Sequence, residues 1–262
     1  TGLVATYVGR LIDRQGARLP MCMGSILVSL SFFGLSIMDS KVYPNIFICG
    51  PSGSGKSTSL RNLDPSRTIV INTERKALPF RKARKFKKQL MVDCFAKFSK
   101  ALDKALTSSD SDVIVIDSFT SLAEMTYEHI VRHEQNDTRA AWGTYKDQLH
   151  DILLRCKVAN KIVVFLGVDD SVQDENLQLI KTVAVQGSLK GKVEKEFEIV
   201  LWTKVVNNGT DTSYHFQTNS DGKNNAKSPM EMFDQHLIEN DLNEVINTIH
   251  EYYNDDLEGV AA

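Results

Sequence analysis

The chain has 262 residues, of which 42% are hydrophobic and 24% charged, and its formal net charge is −2. These values suit a globular domain that buries its own core without disulfides. They exclude a chain that attracts nucleic acid by overall charge, so any such binding needs a local basic patch. Four cysteines, Cys22, Cys49, Cys94 and Cys156, stand far apart and form no C-x-x-C pair. They read as free thiols in a reducing, cytoplasmic compartment and not as a metal framework.

Residues 19–37 carry no charge. With Met38 the run is about as long as a helix that crosses a bilayer. Just upstream, Gly9, Asp13, Arg14, Gly16 and Arg18 fit the loop between the second and third helices of major facilitator transporters, which this segment resembles. One or two such helices cannot enclose a pathway, so transport is not expected. Met38 begins a stretch that runs straight into a glycine loop. The expected organisation is a membrane-helix-like appendage at 1–37, foreign to the rest, and one soluble domain at 38–262. A genuine membrane anchor on the same domain is the alternative.

Gly50-Pro51-Ser52-Gly53-Ser54-Gly55-Lys56-Ser57 satisfies G-x-x-x-x-G-K-[S/T] in full, and Thr58 follows it. The apolar run before it reads as a buried strand, and the residues after Lys56 read as the start of a helix. Gly53 and Gly55 permit backbone angles that let successive N–H groups converge on an anion. Lys56 would reach the outer phosphates of ATP, and the Ser57 hydroxyl would bind Mg²⁺.

Such a loop needs a carboxylate on the metal side. Residues 113–117, VIVID, read as a fully buried strand with Asp117 at its carboxyl end, where ligands bind in open α/β sheets. A helix cap is the other role for Asp117, but Ser118 fills it equally well. Position 118 holds no water-activating glutamate. Residues 68–72, TIVIN, are another strand, and Glu74 lies just beyond its end. A neighbouring strand would aim Glu74 into the same crevice, to orient and deprotonate the attacking water. A solvated glutamate paired with Arg75 or Lys76 is the bland reading.

Loop, strand plus glutamate, and VIVIDS together resemble the ATPase core of RecA-type recombinases, and in particular the small phage-encoded RecA-like ATPases of the single-strand-annealing type. Lys76, Pro79 and Phe80, the segment 188–203 and the segment 237–249 are also similar to that family. The resemblance implies Glu74 and Lys56 as catalytic residues, Ser57 and Asp117 on the metal, and assembly into rings or filaments on single-stranded DNA. In such assemblies Lys190 and Lys192 reach a nucleotide, although by spacing alone they read as surface lysines. One position departs from the pattern: where relatives end a strand with a polar γ-phosphate sensor, this chain has Val168.

The remaining chain predicts helices at 95–106, 118–135 and 142–157, with a polar break between the last two. It then predicts strands at 161–170, 179–185, 197–206 and 214–218, an Asn208-Gly209 hairpin, and a final helix capped by Asp241 and Glu244. The fold class is α/β: a RecA-like, mainly parallel twisted sheet flanked by helices, with an antiparallel C-terminal edge. Residues 81–88 hold six basic residues in eight, readable as a DNA-binding cluster or as a solvated helix face. Arg139 and Trp142 could join charge to base stacking, and Trp142 reads equally as a core anchor. The expected function is Mg²⁺-dependent ATP hydrolysis on single-stranded DNA in phage recombination or annealing. The alternative is a nucleotide-dependent switch with weak hydrolysis and no DNA role.

Overall fold

A computed structural model describes residues 43–132, 137–173 and 177–258. The transporter-like segment and the boundary at Met38 lie outside the described residues. Strands β1 (Ile46–Gly50), β2 (Thr68–Asn72) and β4 (Val113–Asp117) are buried along their whole length. That is why they read as unbroken apolar runs: both faces of a parallel sheet are covered. Alternate residues serve opposite faces. Phe47, Ile69, Ile71, Ile114 and Ile116 pack on one side, under helices α1 (Phe95–Thr107), α2 (Phe119–Ile130) and α3 (Thr138–Lys157). Ile46, Ile48, Val70, Val113 and Val115 pack on the other, against Leu60, Leu63 and helix α4 (Leu242–Glu258). Each large apolar side chain so buried stabilises the fold by roughly 1.5–3 kcal/mol.

The sheet also contains β3 (Gln89–Met91), β5 (Ile162–Gln173), β7 (Ile199–Asn207), β8 (Thr212–Gln217) and β9 (Leu237–Glu239). Its order is β3-β2-β4-β5-β1-β7-β8-β9, with β6 (Leu179–Val183) paired to the outer half of β5. Pairing is parallel from β3 to β7 and antiparallel among β7, β8 and β9. The expected RecA-like class, a mainly parallel sheet with an antiparallel edge, is the one observed. The register sets the site: Asn72 lies opposite Asp117, Asp117 opposite Leu166, and Gly50 opposite Val168. The ends of β2 and β4 thus finish at one level, that of Ile48, and β1 runs two residues further to Gly50.

Several elements differ from the sequence reading. After Lys56 the chain makes a short 3-10 helix, Ser57–Asn62, and Pro65 close behind disfavours a helical residue before it and so limits its length. Helix α2 stops at Ile130, and α3 begins at Thr138, earlier than expected. Asp137 caps α3, accepting a 2.9 Å hydrogen bond from the Ala140 amide. β3 and β9 were not anticipated; at three residues each they are too short to show a period. Residues 81–88 form no helix face but a turn around Ala83–Lys85, pinned by the buried Phe86. Half of the expected cap on α4 is present: Asp241 Oδ1 accepts from the Asn243 amide at 2.9 Å, but the Asp241 amide expected to meet Glu244 donates to the Glu239 carbonyl at 2.8 Å.

Candidate active site

The glycine loop leaves β1 with Pro51, Ser52 and Gly53 exposed at its crest. Gly53 and Gly55 have φ of 76° and 95°, in the region that favours glycine. Gly50 is required for a different reason. A Cβ there would come within 1.8 Å of Thr203 Oγ1. Thr203 follows Trp202, the residue paired with Cys49 across β1 and β7. Its hydroxyl lies 2.6 Å from Ser54 Oγ and donates to the Cys49 carbonyl at 3.2 Å. Ser54 is therefore turned inward, with its Oγ also 2.6 Å from the Pro51 carbonyl; its single proton serves one of these two contacts, and its side chain supports the loop from beneath.

Lys56 Nζ donates to the Gly50 and Pro51 carbonyls, both at 2.7 Å. Burial pulls its pKa down, while Asp169, Asp117 and Glu74 draw it back up. Ser57 Oγ donates to Asp117 Oδ2 at 2.8 Å. These two oxygens, 60 residues apart in sequence, are the hard donors that Mg²⁺ prefers. Among the described residues no cluster of three His, Cys, Asp or Glu side chains could hold a metal alone. The donor set fits an ion that takes its remaining ligands from phosphate and water. Burial raises the Asp117 carboxyl above its ordinary range, against the hydrogen bond from Ser57.

Glu74 reaches the same crevice through a clasp that sequence reasoning did not find. The Thr73 amide donates to the Asp117 carbonyl at 2.7 Å, and the Thr73 hydroxyl accepts from the Ser118 amide at 2.6 Å. The turn beyond is held by Asn72, whose carboxamide donates to the Lys76 carbonyl at 2.6 Å and accepts from the Arg75 amide at 2.7 Å. These two bonds support Arg75 at φ 59°, an uncommon angle for a residue with a side chain. Glu74 then meets Lys76 at 2.8 Å. Burial pushes the Glu74 carboxyl upward, but its bonds to Lys76 and Ser118 outweigh this and hold it below the usual range. It is ionised at neutral pH and can accept a proton.

Val168 presents no polar side chain to the crevice, and its amide is taken by the Thr120 hydroxyl at 3.0 Å. Trp142 is a core residue, packed 5.4 Å from Tyr127 and 5.6 Å from Tyr145 by ring centroids, so it is not a free stacking platform. Lys190 is paired with Asp170 at 2.6 Å. Residues 133–136 and 174–176 lie outside the described residues. Among those described, Cys49, Cys94 and Cys156 are free thiols. No helix there is long and apolar enough to cross a membrane.

The family model described as an AAA domain matches residues 43–230. No curated protein matches the sequence. Among solved structures, the chain is similar to a KaiC-like protein from Pyrococcus horikoshii, with 14% identity over 66% of this chain and 76% of that one and a TM-score of 0.37. It is also similar to an ATPase from the type III secretion system of pathogenic bacteria, with 19% identity, 62% of this chain covered and a TM-score of 0.43; the match spans 52% of that protein. A third is the flagellar accessory protein FlaH from Methanocaldococcus jannaschii, with 13% identity over 68% and 80% of the two chains and a TM-score of 0.35.

Proposed function

The chain belongs to the AAA domain family, and from that premise we propose that it is an Mg²⁺-dependent ATPase that acts on single-stranded DNA. The observation that supports hydrolysis most directly is the 2.8 Å Ser57–Asp117 bond at the foot of the loop, with Glu74 tied to the same strand end. On this reading the amides of residues 50–58 cradle the phosphates, and Lys56 leaves the loop carbonyls to hold the outer ones. Glu74 orients the attacking water and takes its proton. Ser57 and Asp117 hold Mg²⁺, which when bound draws charge from the phosphate oxygens.

The DNA role rests on the basic turn at 81–88. Arg81, Lys82, Arg84, Lys85 and Lys87 have no ion-pair partner among the described residues. Unneutralised charge of this kind suits a phosphate backbone. Recombination or strand annealing, in rings or filaments as in the phage-encoded proteins the sequence resembles, is the corresponding process. Residues 38–262 would then suffice for turnover, with 1–37 taking no part. The test is ATP turnover with and without single-stranded DNA at two salt concentrations, with stimulation that fades as salt rises as the expected result.

One observation favours a nucleotide-dependent switch instead. Val168 stands opposite Gly50, where a polar side chain could relay the state of the γ-phosphate. Turnover that ignores DNA, with no salt-sensitive DNA binding, would select the switch.

A further inference from the structure

We propose that a cavity beside the loop is a nucleobase pocket that selects adenine through the Asn240 carboxamide. This deepens the nucleotide-binding reading and rests on it. The cavity has a volume of about 560 Å³ and is lined by Thr58 and Arg61, just after the loop, and by Tyr214, Leu237, Glu239 and Asn240 from the antiparallel edge. That volume lies within the usual range for small-molecule sites, about 300–1,000 Å³. The β8–β9 register pairs His215 with Glu239, and the Asn240 amide donates to the Tyr214 carbonyl at 3.3 Å, so Tyr214 and Asn240 stand side by side. Both press on the loop. A Cβ at Gly55 would come within 3.1 Å of the Tyr214 ring and 3.2 Å of Asn240 Oδ1.

Asn240 is only 2% exposed, yet neither its Oδ1 nor its Nδ2 has a hydrogen-bond partner. Buried polar groups are nearly always paired; the two atoms here are closed off against Gly55, beside the cavity, and gain partners when the carboxamide turns about its side-chain bond toward a bound base. A carboxamide offers a donor and an acceptor side by side. Adenine offers the matching acceptor and donor, N7 and the N6 amine. Guanine shows two acceptors on that edge and calls for a guanidinium or an ammonium. Arg61, which lines the cavity, is already committed to the Asn240 carbonyl, to Glu239 Oε1 at 3.1 Å and to Asp241 at 3.6 Å. The exposed ring of Tyr214 supplies a stacking face that does not discriminate between bases.

The test is equilibrium binding of ATP, GTP and inorganic tripolyphosphate to the full chain. The wild-type protein should bind ATP about tenfold or more tighter than GTP, the value of one good bidentate contact. Asn240→Ala should remove that preference, weakening ATP at least tenfold more than it weakens GTP or tripolyphosphate. Asn240→Leu keeps the branched shape without the polar atoms and gives the same reading if the alanine variant does not fold. Tyr214→Leu should weaken ATP and GTP alike. Equal wild-type affinity for the two nucleotides, or Asn240 variants that retain the preference, would overturn the pocket. Tripolyphosphate binding in those cases leaves the phosphate loop standing. Failure of all three probes to bind would overturn loop and pocket together.

Discussion

The crevice at residues 50–58 and the turn at residues 81–88 are both rich in polar side chains, and they are built in opposite ways. In the crevice nearly every polar group bonds to another part of the protein: Ser54 to Thr203, Ser57 to Asp117, Thr73 to Ser118, Lys56 to its own loop. At the basic turn Phe86 is buried, the cations point outward, and among the described residues only Lys88 finds an acceptor, the Asp110 carbonyl. The first region fixes atoms in place at a cost in desolvation and is suited to chemistry. The second fixes only a net charge and is suited to a ligand that needs no single geometry.

That contrast predicts the largest effects in the crevice. Lys56→Ala should abolish ATP turnover, because Lys56 is the cation that residues 50–58 themselves carry. Glu74→Gln should bind ATP normally yet lose roughly 10²–10⁴-fold in turnover, the usual contribution of general-base catalysis. Normal turnover in Glu74→Gln, measured by phosphate release, would remove Glu74 from the site. At the basic turn the loss should be graded. Replacing Arg81, Lys82, Arg84 and Lys85 with alanine should weaken single-stranded DNA binding and flatten its salt dependence by about 0.7 log units per lost phosphate contact. A salt slope equal to that of the wild-type protein would show that the cluster is only a solvated surface.

Smaller effects sharpen the account of desolvation. Burial raises the Asp117 pKa above its unfolded value, so the folded state takes up a proton more readily than the unfolded chain. Ionised Asp117 therefore subtracts from stability at neutral pH, and the deficit shrinks as pH falls toward the carboxylate range. Asp117→Asn should melt higher than wild type at pH 7, with the gap narrowing under acid, while losing metal-dependent turnover. Thr203→Val should cost about 1 kcal/mol in thermal denaturation, through its lost hydrogen bonds beneath the loop.

The core strands and the loop were legible because their signals are local. Four consecutive β-branched residues before Asp117, and a glycine loop ending in Lys56-Ser57, carry their meaning within a few positions. The helix boundaries were less so. The start of α3 depends on whether Asp137 turns its side chain onto the Ala140 amide, a choice its neighbours in sequence do not settle.

The sequence by itself determined the long central strands, the phosphate loop, the two carboxylates and the basic cluster, since each is written in contiguous residue types. Only the tertiary structure decided what stands behind them: Thr203 under Gly50, Thr73 clasping Ser118, and Asn240 beside Gly55. Those partners lie 45 to 185 positions away and have no motif of their own. Their meaning is set by burial and register, because a threonine or asparagine becomes a positioning group only where a neighbouring strand brings an orphaned donor or acceptor within bonding distance.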